Sequence, residues 1–469
     1  MNLNGFNWNT PTTKITGALL FLGLVLTLAL KFKFIFQESL WPDEALYLYI
    51  GRNLTRDITD LTNINGNFFY QNPPLLMYLL SMVKKIGFLE FQLAARVLIA
   101  LMGTGTVVTT YFIAKKIYTP LIGLIAAFLL AACPLSNWIG VRILTDIPVV
   151  FWIYLALCML VYDRKTSFYI FALMAVLTKY TSFPVLLLPF FLKLKPKTWL
   201  TLYIVGFGLL FIFGATKNWY PVPHGWLGYG YGFFSLPNLS EMITETRFFM
   251  GYVLFVLFFI GLFYTIREER FTALFHWIIL FGICRIFLPW VAFRVSRYTL
   301  PFYPGFYVFA AYGGYRIVKA AQVKWLAHSR WISFAALSAV VILIFAHSSR
   351  SLEVLDGTSR TFIGFQKAGA FLMARSGPHS LATASPRQMQ YFAPSYTVYN
   401  IPSKMTPEKL SSFIKAKNIQ YVSIDFWSPH LPSWCRSYNF QNNGYHLIFG
   451  QNYVFIFNTA NVTSKRKSM

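Results

Sequence analysis

The chain has 469 residues, of which 56% are hydrophobic, 19% aromatic and 12% charged, with a mean hydropathy of +0.51. Soluble chains carry about 25% charged residues, so roughly half the polar coat of a water-soluble globule is missing, which excludes a soluble protein. Forty-one Lys and Arg against sixteen Asp and Glu give a net charge of +25. These basic residues lie in short clusters between apolar runs, as in loops facing cytoplasm and anionic lipid, and not in the basic patch of a nucleic-acid binder.

A bilayer span takes about 20 predominantly apolar residues. Candidate runs lie near 15–32, 93–114, 118–134, 147–162, 167–179, 182–194, 199–217, 248–266, 272–290, 299–318 and 331–346, predicting eleven transmembrane helices. The first run has no small-residue cleavage site after it and reads as a retained span. Lys115/Lys116, Arg164/Lys165, Lys193/Lys195/Lys197, Arg267/Arg270 and Arg316/Lys319/Lys324/Arg330 share one side, which the positive-inside rule makes cytoplasmic. Lys31 and Lys33 oppose them and are outvoted. The reading is a cell-membrane, multi-pass α-helical domain over 1–349, with a cytoplasmic N-terminus and interfacial helices in its first outer loop. A soluble α/β domain over 350–469 follows on the outer face. Three of the four cysteines lie in apolar runs, so no disulfide framework is expected.

In the tail, 361–375 reads as an amphipathic helix, and 380–384, 396–401 and 419–426 read as strands. Thr406-Pro407 opens a helix to about Lys417, and 445–457 reads as a hairpin. Asn53, Asn238 and Asn461 begin sequons that this topology places outside. Nine of the sixteen acids also fall on the outer side of the membrane domain, which marks that face for chemistry.

Four constellations lie on it. ESLWPDEALYLYIGRNL (38–54) reads as an interfacial helix opened by Pro42. Neighbouring helix positions diverge by about 100°, so Asp43 and Glu44 cannot aim at one atom. One can serve a cavity while the other orients a neighbour or helps hold a metal; alternatively both complement the helix dipole, worth about 0.3–1 kcal/mol each. In FFYQNPPLLMYLL (68–80) the prolines restart a half-length helix too short to span, followed by Arg96. In VRILTDIPVVFW (141–152), Arg142 and Asp146 are spaced i,i+4, either a structural pair or a cation for an anionic headgroup oriented by a carboxylate. Lys179 in VLTKYTSFP is a lone lysine at membrane depth, functional or snorkelling to the interface. RVSRYTLPFYPG (294–305) presents Arg294 and Arg297, whose guanidinium forks match phosphate oxygens of a carrier lipid or of outer-leaflet headgroups. His224 sits in an aromatic, glycine-rich outer loop. No Walker loop, GxGxxG helix start or HExxH is present.

The ordered series PDEALY, NPPL with Arg96, GLIAAFLLAACP, RILTDIP, LTKYTSFP and RYTLPFYP resembles the C-type membrane glycosyltransferases, in their protein O-mannosyltransferase and aminoarabinose transferase branch. The resemblance implies a polyprenyl-phosphate sugar donor and inverting transfer on the outer face to a glycolipid, lipid-linked glycan or protein hydroxyl. It places the first-loop acid at Asp43, with Glu44 as its neighbour. The three-MIR insertion and the WWDYG signature of related transferases are missing. Such a donor already carries a good leaving group, so the chemistry needs one base, Asp43, within about 2.6–3.2 Å of the acceptor hydroxyl. It also needs cations on the departing phosphate, for which Arg142, Lys179, Arg294 and Arg297 are the candidates and Asp146, Arg96 and Tyr298 the supports. Some family members bind a divalent cation; Glu44 and His224 would be its ligands here. The rival class is a transporter or flippase of a lipid-linked anion, which leaves the Asp-Glu helix without a role.

Overall fold

The structure, a computed structural model, describes residues 31–36, 40–63, 73–192, 247–287, 296–324, 329–359, 362–375, 379–426 and 431–460, with isolated positions besides. The chain divides into two compact units: residues 1–36, 68–79 and 86–355, and residues 37–67, 80–85 and 356–469. Helix α1 (Pro42–Arg56) belongs to the second and opens, as expected, on a proline at its first turn. The Trp41 backbone N–H donates to Glu44 Oε2 at 2.9 Å, so Glu44 closes the helix start. The half-length helix after Asn72 is α2 (Leu75–Ile86), with Lys84 and Lys85 in its last turn.

The first unit is helical. Glu90 caps α3 (Phe91–Ile117) by accepting from Leu93 N at 2.9 Å, and Lys115 and Lys116 complement the negative end of its dipole. The run expected at 118–134 holds α4 (Pro120–Ala131), and α5 (Pro134–Gly140) follows it at a bend of 58°. Pro134 lacks the N–H that would carry the ladder across the break. Helices α6 (Asp146–Val161) and α7 (Lys165–Thr178) match their predicted runs. The run expected at 182–194 begins as a 3-10 segment, Tyr180–Leu187, with Pro184 inside it, and continues as a single turn, α8 (Leu188–Phe191), the two together forming a short apolar helix. Next come α9 (Tyr252–Arg267), α10 (Ala273–Phe287), a 3-10 segment over Ser296–Phe302, α11 (Tyr303–Lys324) and α12 (Ser329–Ser359).

Helices α9 and α11 cross at backbone contact. A Cβ on Gly313 would strike the Leu257 carbonyl oxygen, and one on Gly261 the Phe309 carbonyl oxygen. Small residues at such crossings let helices without a hydrophobic driving force pack by dispersion. By length and composition, two described helices can cross a membrane: Phe91–Ile117 and the Ser338–Asp356 part of α12. A third span results if α4 and α5 cross together, and α6, α7, α9 and α10 are shorter apolar helices. The expected spans at 15–32 and 199–217 lie largely or wholly outside the described residues.

The second unit joins α1 to the tail. Helix α13 (Ile363–Met373), β1 (His379–Thr383), α14 (Pro386–Phe392), β2 (Tyr396–Asn400), α15 (Pro407–Lys417), β3 (Tyr421–Asp425), β4 (His446–Gln451) and β5 (Val454–Asn458) form a five-stranded sheet with helices. Strand order is β2-β1-β3-β5-β4, parallel for the first three and antiparallel beyond. Alternate strand residues feed two cores: Leu381, Tyr421 and Ile456 pack with Phe365 and Met389, while Ala382, Val422 and Phe457 pack with Leu410 and Ile414. Thr406 caps α15 as predicted, and Asn418 ends it in the left-handed conformation at φ 49°. Helix α14 has no counterpart among the predicted elements. It starts at the carboxyl end of β1, beside the point where the parallel strand order reverses, and it packs on α1.

Candidate active site

Within the first unit three separate motifs converge. Asp146 is the first residue of α6, Lys179 follows the last turn of α7, and Arg297 with Tyr298 lies on the 3-10 turn before α11. Lys179 Nζ is 2.6 Å from Asp146 Oδ1, with side chains 8% and 4% exposed. Arg297 Nε stands 4.0 Å from Asp146 Oδ2, an electrostatic partner beyond hydrogen-bond reach. The Tyr298 ring faces both cations, its centroid 4.1 Å from Lys179 Nζ and 5.6 Å from the Arg297 guanidinium. Two cations face one carboxylate in buried surroundings, where the low dielectric strengthens their attraction for an anion. The turn is anchored by Tyr154, whose hydroxyl donates to the Pro301 carbonyl at 3.0 Å and accepts from Gly305 N at 2.8 Å.

The i,i+4 pairing expected between Arg142 and Asp146 does not form. Residues 142–145 precede the helix, so the two side chains do not share a helical face, and Asp146 turns to Lys179 and Arg297. Lys179 is therefore not lone. Arg142 is fully buried, with its guanidinium 5.9 Å from the Trp138 ring centroid. Arg96 is buried and donates through Nη1 to the Ile35 carbonyl at 2.9 Å, joining α3 to the helix over 31–36. Arg294 and His224 lie outside the described residues.

In the second unit the two first-loop acids diverge as the helix geometry requires. Glu44 is fully buried and caps α1 through the Trp41 N–H. Asp43 is 31% exposed, and its Oδ1 accepts from Arg387 Nη1 at 3.0 Å. Arg387, 34% exposed, is the second residue of α14. An ion pair this exposed adds about 0–1 kcal/mol to stability. The same two helices meet again where the Arg52 guanidinium lies 5.2 Å from the Tyr391 ring centroid. Sequence reasoning missed Arg387. Ser385-Pro386 is a readable helix start, but nothing in the linear chain ties residue 387 to residue 43. Among the described residues no three His, Cys, Asp or Glu side chains group as a metal site requires. Glu44 is engaged as a cap through Oε2, and His224, the other expected metal ligand, lies outside the described residues.

The described chain is thus mostly helical, with a buried cation–carboxylate cluster in one unit and a five-stranded sheet in the other. Residues 71–219 match the family described as dolichyl-phosphate-mannose-protein mannosyltransferase, so the resemblance read from the ordered motifs stands. The fold is that of ArnT from Cupriavidus metallidurans bound to undecaprenyl phosphate, with a TM-score of 0.69 at 14% identity, covering 94% of this chain and 98% of that one. It is also similar to the oligosaccharyltransferase AglB of Archaeoglobus fulgidus in complex with an inhibitory peptide and a dolichol-phosphate. That match has a TM-score of 0.59 at 12% identity and covers 97% of this chain and 74% of that one. The mycobacterial arabinofuranosyltransferase AftD matches with a TM-score of 0.55 at 12% identity, over 94% of this chain and 40% of that one. No curated protein matches the chain by sequence.

Proposed function

We propose that this chain is a membrane glycosyltransferase that moves a sugar from a polyprenyl-phosphate donor to an acceptor hydroxyl on the outer face, with its N-terminus cytoplasmic and its tail outside. The observation that carries the reading is the convergence of Asp146, Lys179, Arg297 and Tyr298 into one buried cluster that brings two cations together. A lipid phosphate is the anion that such a cluster suits in this fold.

The acceptor oxygen attacks the sugar's anomeric carbon from the face opposite the phosphate. The new carbon–oxygen bond forms as the bond to phosphate breaks, and the bonding electrons leave with the phosphate. The acceptor proton passes to the Asp43 carboxylate, which acts as general base. Lys179 and Arg297, with Arg142 and Arg294 as further proposed contacts, stabilise the charge that develops on the phosphate. Asp146 fixes the lysine, and Glu44 fixes the helix start that presents Asp43. The family match favours a hexose of the mannose type, and a pentose is the competing choice.

Purified protein should be given a panel of radiolabelled polyprenyl-phosphate sugars together with extracted glycolipid. Transfer of label from one donor supports the proposal. Movement of an intact lipid-linked sugar across vesicles, without cleavage from its phosphate, would replace it with the flippase reading.

A further inference from the structure

We infer that Arg387, a residue of the tail, is the positioning residue of the catalytic base. The inference rests on the reading of Asp43 as that base. Arg387 holds Asp43 Oδ1 at 3.0 Å across 344 residues of sequence. A guanidinium donating to Oδ1 fixes the direction in which the carboxylate presents its oxygens.

The backbone that carries Arg387 is itself rigid. Ser385 Oγ donates to Asp425 Oδ2 at 2.9 Å, Ser428 N donates to Asp425 Oδ1 at 2.6 Å, and Ser385 N donates to Thr383 Oγ1 at 3.1 Å. Thr383 and Asp425 are fully buried, and Ser385 is nearly so. This network ties the carboxyl ends of neighbouring parallel strands β1 and β3 to the first turn of α14, where Pro386 fixes the helical φ. Arg52 over Tyr391 sets the same two helices at a second point. A partly exposed pair adds too little to stability to account for such support. Its value is directional: misplacing a reacting group by an ångström costs about 100-fold in rate.

The test is a double-mutant cycle on the full chain in lipid nanodiscs, with the polyprenyl-phosphate sugar selected by the donor panel. Arg387→Gln should lower kcat by about 10- to 100-fold with the donor KM unchanged, and Arg387→Lys should recover part of the loss. In an Asp43→Asn background, where there is no base to position, Arg387→Gln should change the residual rate less than about two-fold. Melting temperatures of the single variants report folding. An equal loss in both backgrounds, or a loss matched by lowered melting in Arg387→Gln and Arg387→Lys alike, assigns Arg387 a structural role and overturns the inference. Undiminished transfer by Arg387→Gln, with Asp43→Asn crippled, overturns the inference and leaves the function standing. Undiminished transfer by Asp43→Asn removes the base assignment itself, and the inference with it.

Discussion

Replacing Lys179 with methionine removes the closest partner of a buried carboxylate while keeping most of the side-chain volume. At 2.6 Å the Lys179–Asp146 attraction is about 6 kcal/mol for an effective dielectric near 20, and Arg297 at 4.0 Å adds about 4 kcal/mol. Desolvation offsets much of this, and removing one partner of a buried pair costs about 3–5 kcal/mol net. Lys179→Met should fall at the lower end, because Arg297 still faces the carboxylate. Asp146→Asn should fall at the upper end, because it removes the carboxylate that both cations face. Combining the two changes should cost less than their sum. The assay is thermal unfolding in detergent with undecaprenyl phosphate titrated in. Charge arithmetic then orders the effect of the lipid: Asp146→Asn should gain more stabilisation from it than wild type, and Lys179→Met less. Equal lipid-induced shifts in all three proteins, or wild-type melting of Lys179→Met without lipid, would refute the reasoning.

Asp43→Asn keeps size but removes proton acceptance, so turnover should fall by about 10²–10⁴-fold while donor binding persists; Glu44→Gln keeps an oxygen for the Trp41 N–H and should cost far less, and the reverse order in transfer assays would exchange the two roles. Gly313→Val places a branched side chain against the Leu257 carbonyl and should destabilise the α9–α11 crossing by about 1–3 kcal/mol or prevent folding, read as a lowered melting temperature; wild-type melting would mean the helices are free to separate. At the end of α9, burial acts to raise the Glu268 pKa, but Tyr312, Arg316 and Arg270 outweigh it and hold the carboxyl below its usual value. The stability this gives is present above the unfolded pKa and lost as pH falls through the lower folded one, so the margin of wild type over Glu268→Gln should be full at neutral pH and shrink below about pH 4.5; a margin that grows on acidification would reverse the sign.

The sequence by itself determined what local chemistry can determine. Charge scarcity and apolar runs pointed to a membrane, Pro42 and Thr406-Pro407 marked helix starts, and short apolar runs marked strands of the tail, because each depends on neighbours within a turn or a pleat. The divergence of Asp43 and Glu44 was legible for the same reason: it follows from helical pitch. Arg142 and Asp146 show where that reasoning stops. Their spacing pairs them only if a helix runs through both, and the helix begins at Asp146. The run at 182–194 likewise gave no sign that Pro184 would sit inside a 3-10 segment. Tertiary structure alone decided that Lys179 and Arg297 share Asp146, and that Arg387 reaches Asp43 from 344 residues away. Those pairings come from the packing of α6 on α7 and of α14 on α1. Long-range ion pairs leave no periodicity in a chain: a charge's partner is set by which helix ends the packing brings together.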